Sequence, residues 1–355
     1  MRGRRRFAMR RLYLLLPGDL AARTGGTIYD RRIAEGLRGL GWDVRVRTLA
    51  DGFPQPTAAA LADAARTLGD IEDQALVLID GLALGAMPEL VAPHRERLRL
   101  VALLHHPLAL ESGLDVARAA ELRRSEAAAL GHVRRVIVTS PATARLLDGF
   151  GVDADAISIV EPGTDPAPAS EGSRTGPLRL LCVGAITPRK GHLLLIEALS
   201  GLCDLDWMLT CAGSLTRCPD TAALLLRSIS ERGLNHRVRV LGEVGEAELA
   251  SLYAGADLFV LPSLFEGYGM AYAEALARGL PILGTAAGAI PETVPADAGL
   301  LVPPGSVPEL AATLQRLLTD AALRRRLAEG ARRAREHLPD WSESARRFAE
   351  VLTLV

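Results

Sequence analysis

The stretch LRLLCVGAITPRKG (residues 178–191) reads as one compact statement of fold: an apolar run, a glycine, a polar turn, two cations and a second glycine, followed by an apolar helical pattern from residue 193. A short Leu/Val-rich run entering a glycine turn that opens a helix is the strand–loop–helix step of a parallel α/β sheet. Working outward, the same alternation recurs on both sides. Toward the carboxyl end, strands are expected at 207–212, 238–241, 258–261 and 281–284, with helices at 193–199, 246–254 and 271–277. Toward the amino end, strands are expected at 12–16, 44–48, 76–79, 100–104, 136–139 and 157–160, with helices at 27–38 and 117–130. Between the two series Pro162, Gly163, Pro166, Pro168, Gly172, Gly176 and Pro177 interrupt any regular structure. The reading is two doubly wound domains, 1–165 and 178–339, joined by a linker at 166–177. A charged helical region at 308–336 follows the second, and a final amphipathic segment at 340–355 is expected to pack back on the first. At 355 residues the chain exceeds what one core usually serves, and a ligand cleft between two domains is the natural expectation.

Composition narrows the function. A formal net charge of −1 gives no global attraction to nucleic acid. The apolar runs fall far short of the roughly 20 residues that span a bilayer. Residues 1–11 crowd arginines without the apolar run and cleavage site of a secretory signal, so a cytoplasmic chain is expected. That arm reads as a solvated tail or as a start placed too early, with Met9 as the true first residue; peripheral contact with an anionic membrane is the other reading. Cys182, Cys203, Cys211 and Cys218 show no C-x-x-C spacing, so neither zinc nor a disulfide framework is indicated. Cys182 and Cys211 read as small hydrophobes.

Of 41 basic residues only Lys190 is a lysine. It stands with Arg189 in the turn after Gly184, where a helix start offers unpaired amides and a positive dipole end. That is a site suited to a diphosphate. Directly after the strand at 258–261 comes Glu266-Gly267-Tyr268-Gly269-Met270, with Glu274 about a turn into the next helix. The glycines allow close backbone approach to a ligand. The apolar flanks of Glu274 imply a buried carboxylate that needs a partner, which a ligand hydroxyl would supply. Gly288–Glu292 and 299–305 border the same region as loops, and Leu241 could cover a nucleobase.

These stretches resemble the carboxyl-terminal half of the family 4 retaining glycosyltransferases, which have the two-Rossmann GT-B architecture. The resemblance runs from residue 180 to 305. It includes the E-x7-E pair Glu266 and Glu274, the lysine–glycine loop at Lys190 and Gly191, and the G-x-P-E loop at Gly288 to Glu292. Many members place an arginine after the first glycine of the phosphate loop; here Ala185 stands there. In the first half the likeness is thinner: Gly25-Gly26 resembles the family's glycine loop, and His105-His106-Pro107 the position that sets a histidine against the donor sugar, with His106 preferred and one of the two pointing away by strand alternation.

The resemblance implies transfer of a sugar from a nucleoside diphosphate, UDP or GDP foremost, to an acceptor hydroxyl with retention. The leaving phosphate would take the acceptor's proton. Glu266 and His106 would orient the sugar, Glu274 the ribose, and Arg189, Lys190 and the amides of Gly25, Gly26 and Gly269 the diphosphate. No histidine pair at ligand spacing appears, so no metal and no cofactor is expected. Lys190→Ala should then weaken diphosphate affinity with the melting temperature nearly unchanged. A GT-B epimerase or phosphorylase, or a nucleotide-sugar-binding protein without catalysis, is the competing reading. The sugar, the base, the acceptor and the oligomeric state are not legible.

Overall fold

The computed structural model describes residues 10–111, 113–173 and 175–355. The expectations placed on residues 1–9 lie outside the described residues. Arg10 and Arg11 belong to the fold: Arg10 lies over the Trp42 ring, and Arg11 pairs with Asp43 and Glu72.

The chain divides into two compact units, one ending at Gly163 and taking in Trp341–Val355, the other running from Thr164 to Asp340. Unit 1 holds a parallel sheet of β1 (Arg11–Pro17), β2 (Asp43–Leu49), β3 (Leu76–Asp80), β4 (Arg99–Leu104), β5 (Arg135–Val138) and β6 (Ile157–Ile159), in the order β2-β1-β3-β4-β5-β6. Every residue of β3 is buried, as expected for a parallel strand covered by helices on both faces. The apolar side chains of the two faces form separate cores, one around Leu15, Ile79 and Leu104, the other around Leu14, Tyr29, Leu78 and Phe348.

The second of these cores needs the carboxyl terminus. Helix Trp341–Leu352 lies on helix Gly25–Gly39, with the Tyr29 ring 6.1 Å from that of Trp341 and 6.5 Å from that of Phe348. Tyr29 also donates its hydroxyl to the Val160 carbonyl at 2.9 Å. The start of helix Gly25–Gly39 is fixed by a capping box. Thr24 Oγ accepts from the Thr27 amide, and Thr27 Oγ from the Thr24 amide.

Unit 2 carries β7 (Leu178–Val183), β8 (Trp207–Ala212), β9 (Val238–Val240), β10 (Leu258–Val260), β11 (Ile282–Thr285) and β12 (Gly299–Val302), in the order β12-β11-β10-β7-β8-β9. Counted within the unit this is the 3-2-1-4-5-6 order of the dinucleotide-binding fold, whereas unit 1 begins 2-1-3-4-5. Three sequence expectations change here. Residues 299–305 are not all loop, because Gly299–Val302 is an edge strand, short and stopped by Pro303 as edge strands tolerate. The helical region 308–336 is two helices, Val307–Thr319 and Ala321–Ala334, broken at Asp320, whose side chain caps the second by accepting from the Leu323 amide. The segment read as a linker is bound to unit 2: Ser170 Oγ donates to the carbonyls of Ala254 and Ala256, and Ser173 Oγ to Asp257.

Among the described residues no helix is long and apolar enough to cross a membrane.

Candidate functional site

In unit 2 the strand order reverses between β7 and β10, and the loops after these two neighbours meet at their carboxyl ends, where open α/β sheets bind ligands. After β7 the chain makes a tight turn, Pro188–Lys190, then enters helix His192–Ser200 through Gly191 in the left-handed conformation, φ 71°. A side chain at Gly191 would collide with the Pro262 carbonyl, so only glycine lets the two loops close on each other. The Leu264 amide completes the contact by donating to the Arg189 carbonyl at 2.7 Å.

This closure brings the sequence-predicted cations onto the sequence-predicted carboxylate. Lys190 Nζ donates to Glu266 Oε1 at 2.6 Å, and Arg189 Nη1 lies 3.2 Å from Oε2 while also donating to the Phe265 carbonyl at 2.9 Å. Ser263 Oγ, a residue without an assigned role in the sequence reading, donates to Oε1 at 2.6 Å. Burial opposes the Glu266 charge most strongly, but the charges of Lys190 and Arg189 and the hydrogen bonds prevail and hold the carboxyl below its ordinary value. An anion so held is a poor proton acceptor. Glu266 is 6% exposed, while Lys190 and Arg189 keep 16% and 20% of their side chains exposed. Both cations therefore keep part of their side chains in reach of solvent.

Glu274 stands on helix Met270–Ala277, which begins from left-handed Gly269. Glu274, expected to be buried and to need a partner, has one within the protein: Tyr253 Oη donates to Glu274 Oε2 at 2.9 Å. Burial raises this carboxyl, with Tyr253 and Arg278 offsetting part of the shift. The Gly288–Glu292 loop braces the Glu266 segment from behind, through the Ala289 amide to the Glu266 carbonyl (2.9 Å) and Thr293 Oγ to the Tyr268 carbonyl (2.6 Å). Gly267 and Tyr268 lie in that braced loop and Met270 opens the helix. Gly184 and the half-buried Leu241 directly follow β7 and β9, their amides donating to the carbonyls of Ala212 and Cys211.

Unit 1 has its own cluster. His105, just past β4, has Nε2 3.1 Å from Asp30 Oδ1 and 3.4 Å from Asp80 Oδ2, with its ring edge-on to Tyr29 at 5.5 Å. Asp30 comes from helix Gly25–Gly39; Asp80 ends β3 and caps the next turn through the Leu82 amide at 2.8 Å. Burial disfavours the imidazolium, but Asp30 and then Asp80 outweigh it, and His105 is pushed up to about 10. Burial in turn pushes the Asp30 carboxyl up, His105 countering it.

Neither aspartate was singled out in the sequence. A signal existed for Asp30, an acid on the stripe that carries Ala34 and Leu37, all buried. Gly25 and Gly26 are corrected from a loop to the first turn of the helix, and a Cβ on Gly26 would lie 3.2 Å from His105 Cδ2. His106 pairs instead with Glu111 at 3.2 Å. Both histidines follow the end of β4 at Leu104, so strand alternation does not govern which way they face. The backbone beyond them is pinned by Glu126, which is fully buried, accepts from the Leu108 amide at 3.0 Å and is pushed up by burial to about 8.

Among the described residues two clusters bring metal-type ligand atoms within 4.8 Å: Asp30, Asp80 and His105, and Cys182, His192 and Cys211. The first is accounted for as an ion-pair network.

The family model described as Glycosyl transferases group 1 matches residues 164–334, and that described as Glycosyltransferase Family 4 matches residues 76–168. The MMP alpha-(1->4)-mannosyltransferase of Mycolicibacterium hassiacum is 29% identical over 316 residues, 84% of this chain and 75% of that protein. The D-inositol 3-phosphate glycosyltransferase of Kineococcus radiotolerans is 34% identical over 232 residues, 57% of this chain and 52% of that protein, so the match spans about half the relative's length.

Among solved structures, sucrose-phosphate synthase from Thermosynechococcus elongatus superposes with a TM-score of 0.82 at 23% identity, covering 97% of this chain and 99% of that one. Anabaena Alr3699/HepE in complex with UDP and glucose gives 0.77 at 20% identity, covering 97% and 100%. With the sheet orders above, these likenesses establish the GT-B fold. The chain belongs to the group 1, family 4 glycosyltransferases.

Proposed function

We propose that this enzyme transfers a sugar from a nucleoside diphosphate donor, with UDP or GDP as the carrier, to an acceptor hydroxyl with retention and without a catalytic metal. The observation that carries the reading is the Lys190–Glu266–Arg189 cluster at the switch point of unit 2. Two cations there meet on one carboxylate, and both keep part of their side chains exposed. A diphosphate would take over the outward side of Lys190 and Arg189, and Glu266, already ionised, would accept hydrogen bonds from sugar hydroxyls. Stabilising the charge that develops on the leaving phosphate is the largest task in such a transfer, and these cations supply it.

Retention through a proton passed to the leaving phosphate is supported by what the carboxylates are doing. Glu266 is held as an anion by its partners, and Glu274 is engaged by Tyr253; neither is placed as a general base. Within unit 1, His105, held as an imidazolium by Asp30 and Asp80, is a hydrogen-bond donor suited to a hydroxyl. Support for a uridine donor comes from the UDP-glucose complex of the Anabaena neighbour, and for a polyol or sugar acceptor from the named activities of the two relatives. A cytoplasmic location with peripheral membrane contact fits this chemistry.

The test is incubation with radiolabelled UDP-glucose and GDP-mannose, with and without chelator and with acceptor absent. Slow release of free sugar with the anomeric configuration kept is the expected result. Epimerised donor would overturn transfer, binding without turnover would leave a non-catalytic sugar-nucleotide protein, and abolition by chelator would overturn metal independence.

A further inference from the structure

Beneath the phosphate loop three residues that the donor site does not use share one spot. Cys182 in β7 and Cys211 in β8 are register partners on adjacent parallel strands. His192, the first residue of helix His192–Ser200, lies with them. Their exposures are 0%, 1% and 1%. The two sulfurs and the imidazole nitrogen all fall within 4.8 Å of one another. Neither ring nitrogen of His192 has a hydrogen-bond partner. Buried polar groups are nearly always satisfied, and one that is not asks for an unseen ligand. Here the nearest available chemistry is two thiols.

We propose that Cys182, Cys211 and His192 bind one thiophilic d10 metal ion, Zn2+ or Cu+, in a closed structural site under the phosphate loop. The geometry is close to ready, because two sulfurs each about 2.3 Å from one ion can be no more than about 4.6 Å apart. Soft thiolates with an imidazole select zinc or copper(I) over hard cations. Binding releases one proton from each thiol to solvent, and the imidazole contributes a nitrogen lone pair. A divalent ion then cancels both thiolates and leaves the core neutral. A monovalent ion leaves one negative charge, close to Lys190, whose charge reaches both Cys182 and His192. Three ligands complete a trigonal site for Cu+, whereas Zn2+ would take an enclosed water as its fourth ligand; in either case the site is buried, and the ion holds the start of helix His192–Ser200 to the sheet and takes no part in transfer. The proposal stands apart from the donor-site reading.

A site this buried loads as the chain folds. The full-length chain is therefore unfolded under reductant, refolded with Zn2+, with Cu+ under anaerobic conditions, or with neither, desalted against chelator, and its metal content measured. The expected result is about one tightly held equivalent in one or both metal arms and a raised melting temperature over the metal-free arm. Co2+ used in place of Zn2+ should give sulfur-to-metal charge-transfer absorption. Cys211→Ser and His192→Phe should abolish retention, and the Cys203→Ser/Cys218→Ser double variant should keep it. No retained metal in either arm overturns the proposal. So does retention that survives Cys211→Ser and His192→Phe or vanishes in the Cys203/Cys218 control, and so does a Cys182–Cys211 disulfide in the native chain. The wild-type arms decide even where a variant fails to fold.

Discussion

The two units carry clusters of opposite design at the carboxyl ends of similar sheets. In unit 2 one buried carboxylate, Glu266, sits between two cations; in unit 1 one imidazolium, His105, sits between two buried carboxylates. Cations outnumber the carboxylate in the first set of contacts, and carboxylates outnumber the cation in the second. Only the first can attract a diphosphate. The second repels phosphate but is well equipped to exchange hydrogen bonds with hydroxyls. The same kind of sheet thus supports two chemistries, because the loops at its switch point, and not its core, set the sign of the local charge.

The largest expected effect breaks the unit 2 side of this contrast. Lys190→Ala should lower kcat/KM by about 100- to 1000-fold through lost stabilisation of the leaving phosphate. It should also lower the melting temperature, because Glu266 would be left buried with Arg189 and Ser263 alone. Breaking a buried pair outright costs about 3–5 kcal/mol, and the remaining partners reduce this to about 1–3 kcal/mol. The sequence alone predicts a nearly unchanged melting temperature, since it sets the lysine on the ligand alone. Calorimetry with steady-state kinetics separates the two. Diphosphate affinity that survives the substitution would remove the phosphate-loop assignment.

Next comes unit 1. Asp30→Asn removes the strongest partner of His105, whose pKa should fall from about 10 toward its ordinary 6.5. Imidazole NMR titration of both proteins reads this directly. A wild-type His105 that already titrates near neutrality would abolish the opposition between the clusters. Turnover at pH 8 should fall about tenfold as the ring loses its proton.

A smaller effect concerns stability against pH. Because the folded pKa of His105 is raised, its contribution is fully present below about 6.5 and is lost as pH rises through about 10. Urea unfolding between pH 7 and 10 should show that loss in the wild type and a flatter profile in Asp30→Asn. The smallest expected effect is at Tyr253→Phe, which removes one donor to Glu274 and should cost about 1 kcal/mol. A severalfold rise in KM for the donor would tie Glu274 to the ligand; an unchanged KM would leave it a structural partner of Tyr253.

How much of this was legible follows from the range of each interaction. Strands such as Leu178–Val183 and the helix Glu246–Ala254 appear where periodicity places them, because alternation and apolar runs are local properties. The edge strand Gly299–Val302 hid among prolines and glycines. Glu266, Arg189 and Lys190 were each legible as chemistry-bearing loop residues. That they form one ion cluster was not, since Lys190 and Glu266 stand 76 positions apart. Asp30 and Asp80 went unnoticed because an isolated acid near a helix start or strand end is ordinary.

The sequence by itself determined most of the strands and helices and the types of group near each strand end, which depend on neighbours a few residues away. Only the tertiary structure decided which groups meet. Strand order set β7 beside β10, so that Lys190 reaches Glu266, and β7 beside β8, so that Cys182 faces Cys211. The physical reason is that hydrophobic periodicity tells each strand which faces to bury but not which strand to lie against. A buried charge or imidazole gains its meaning only from the partner that choice delivers.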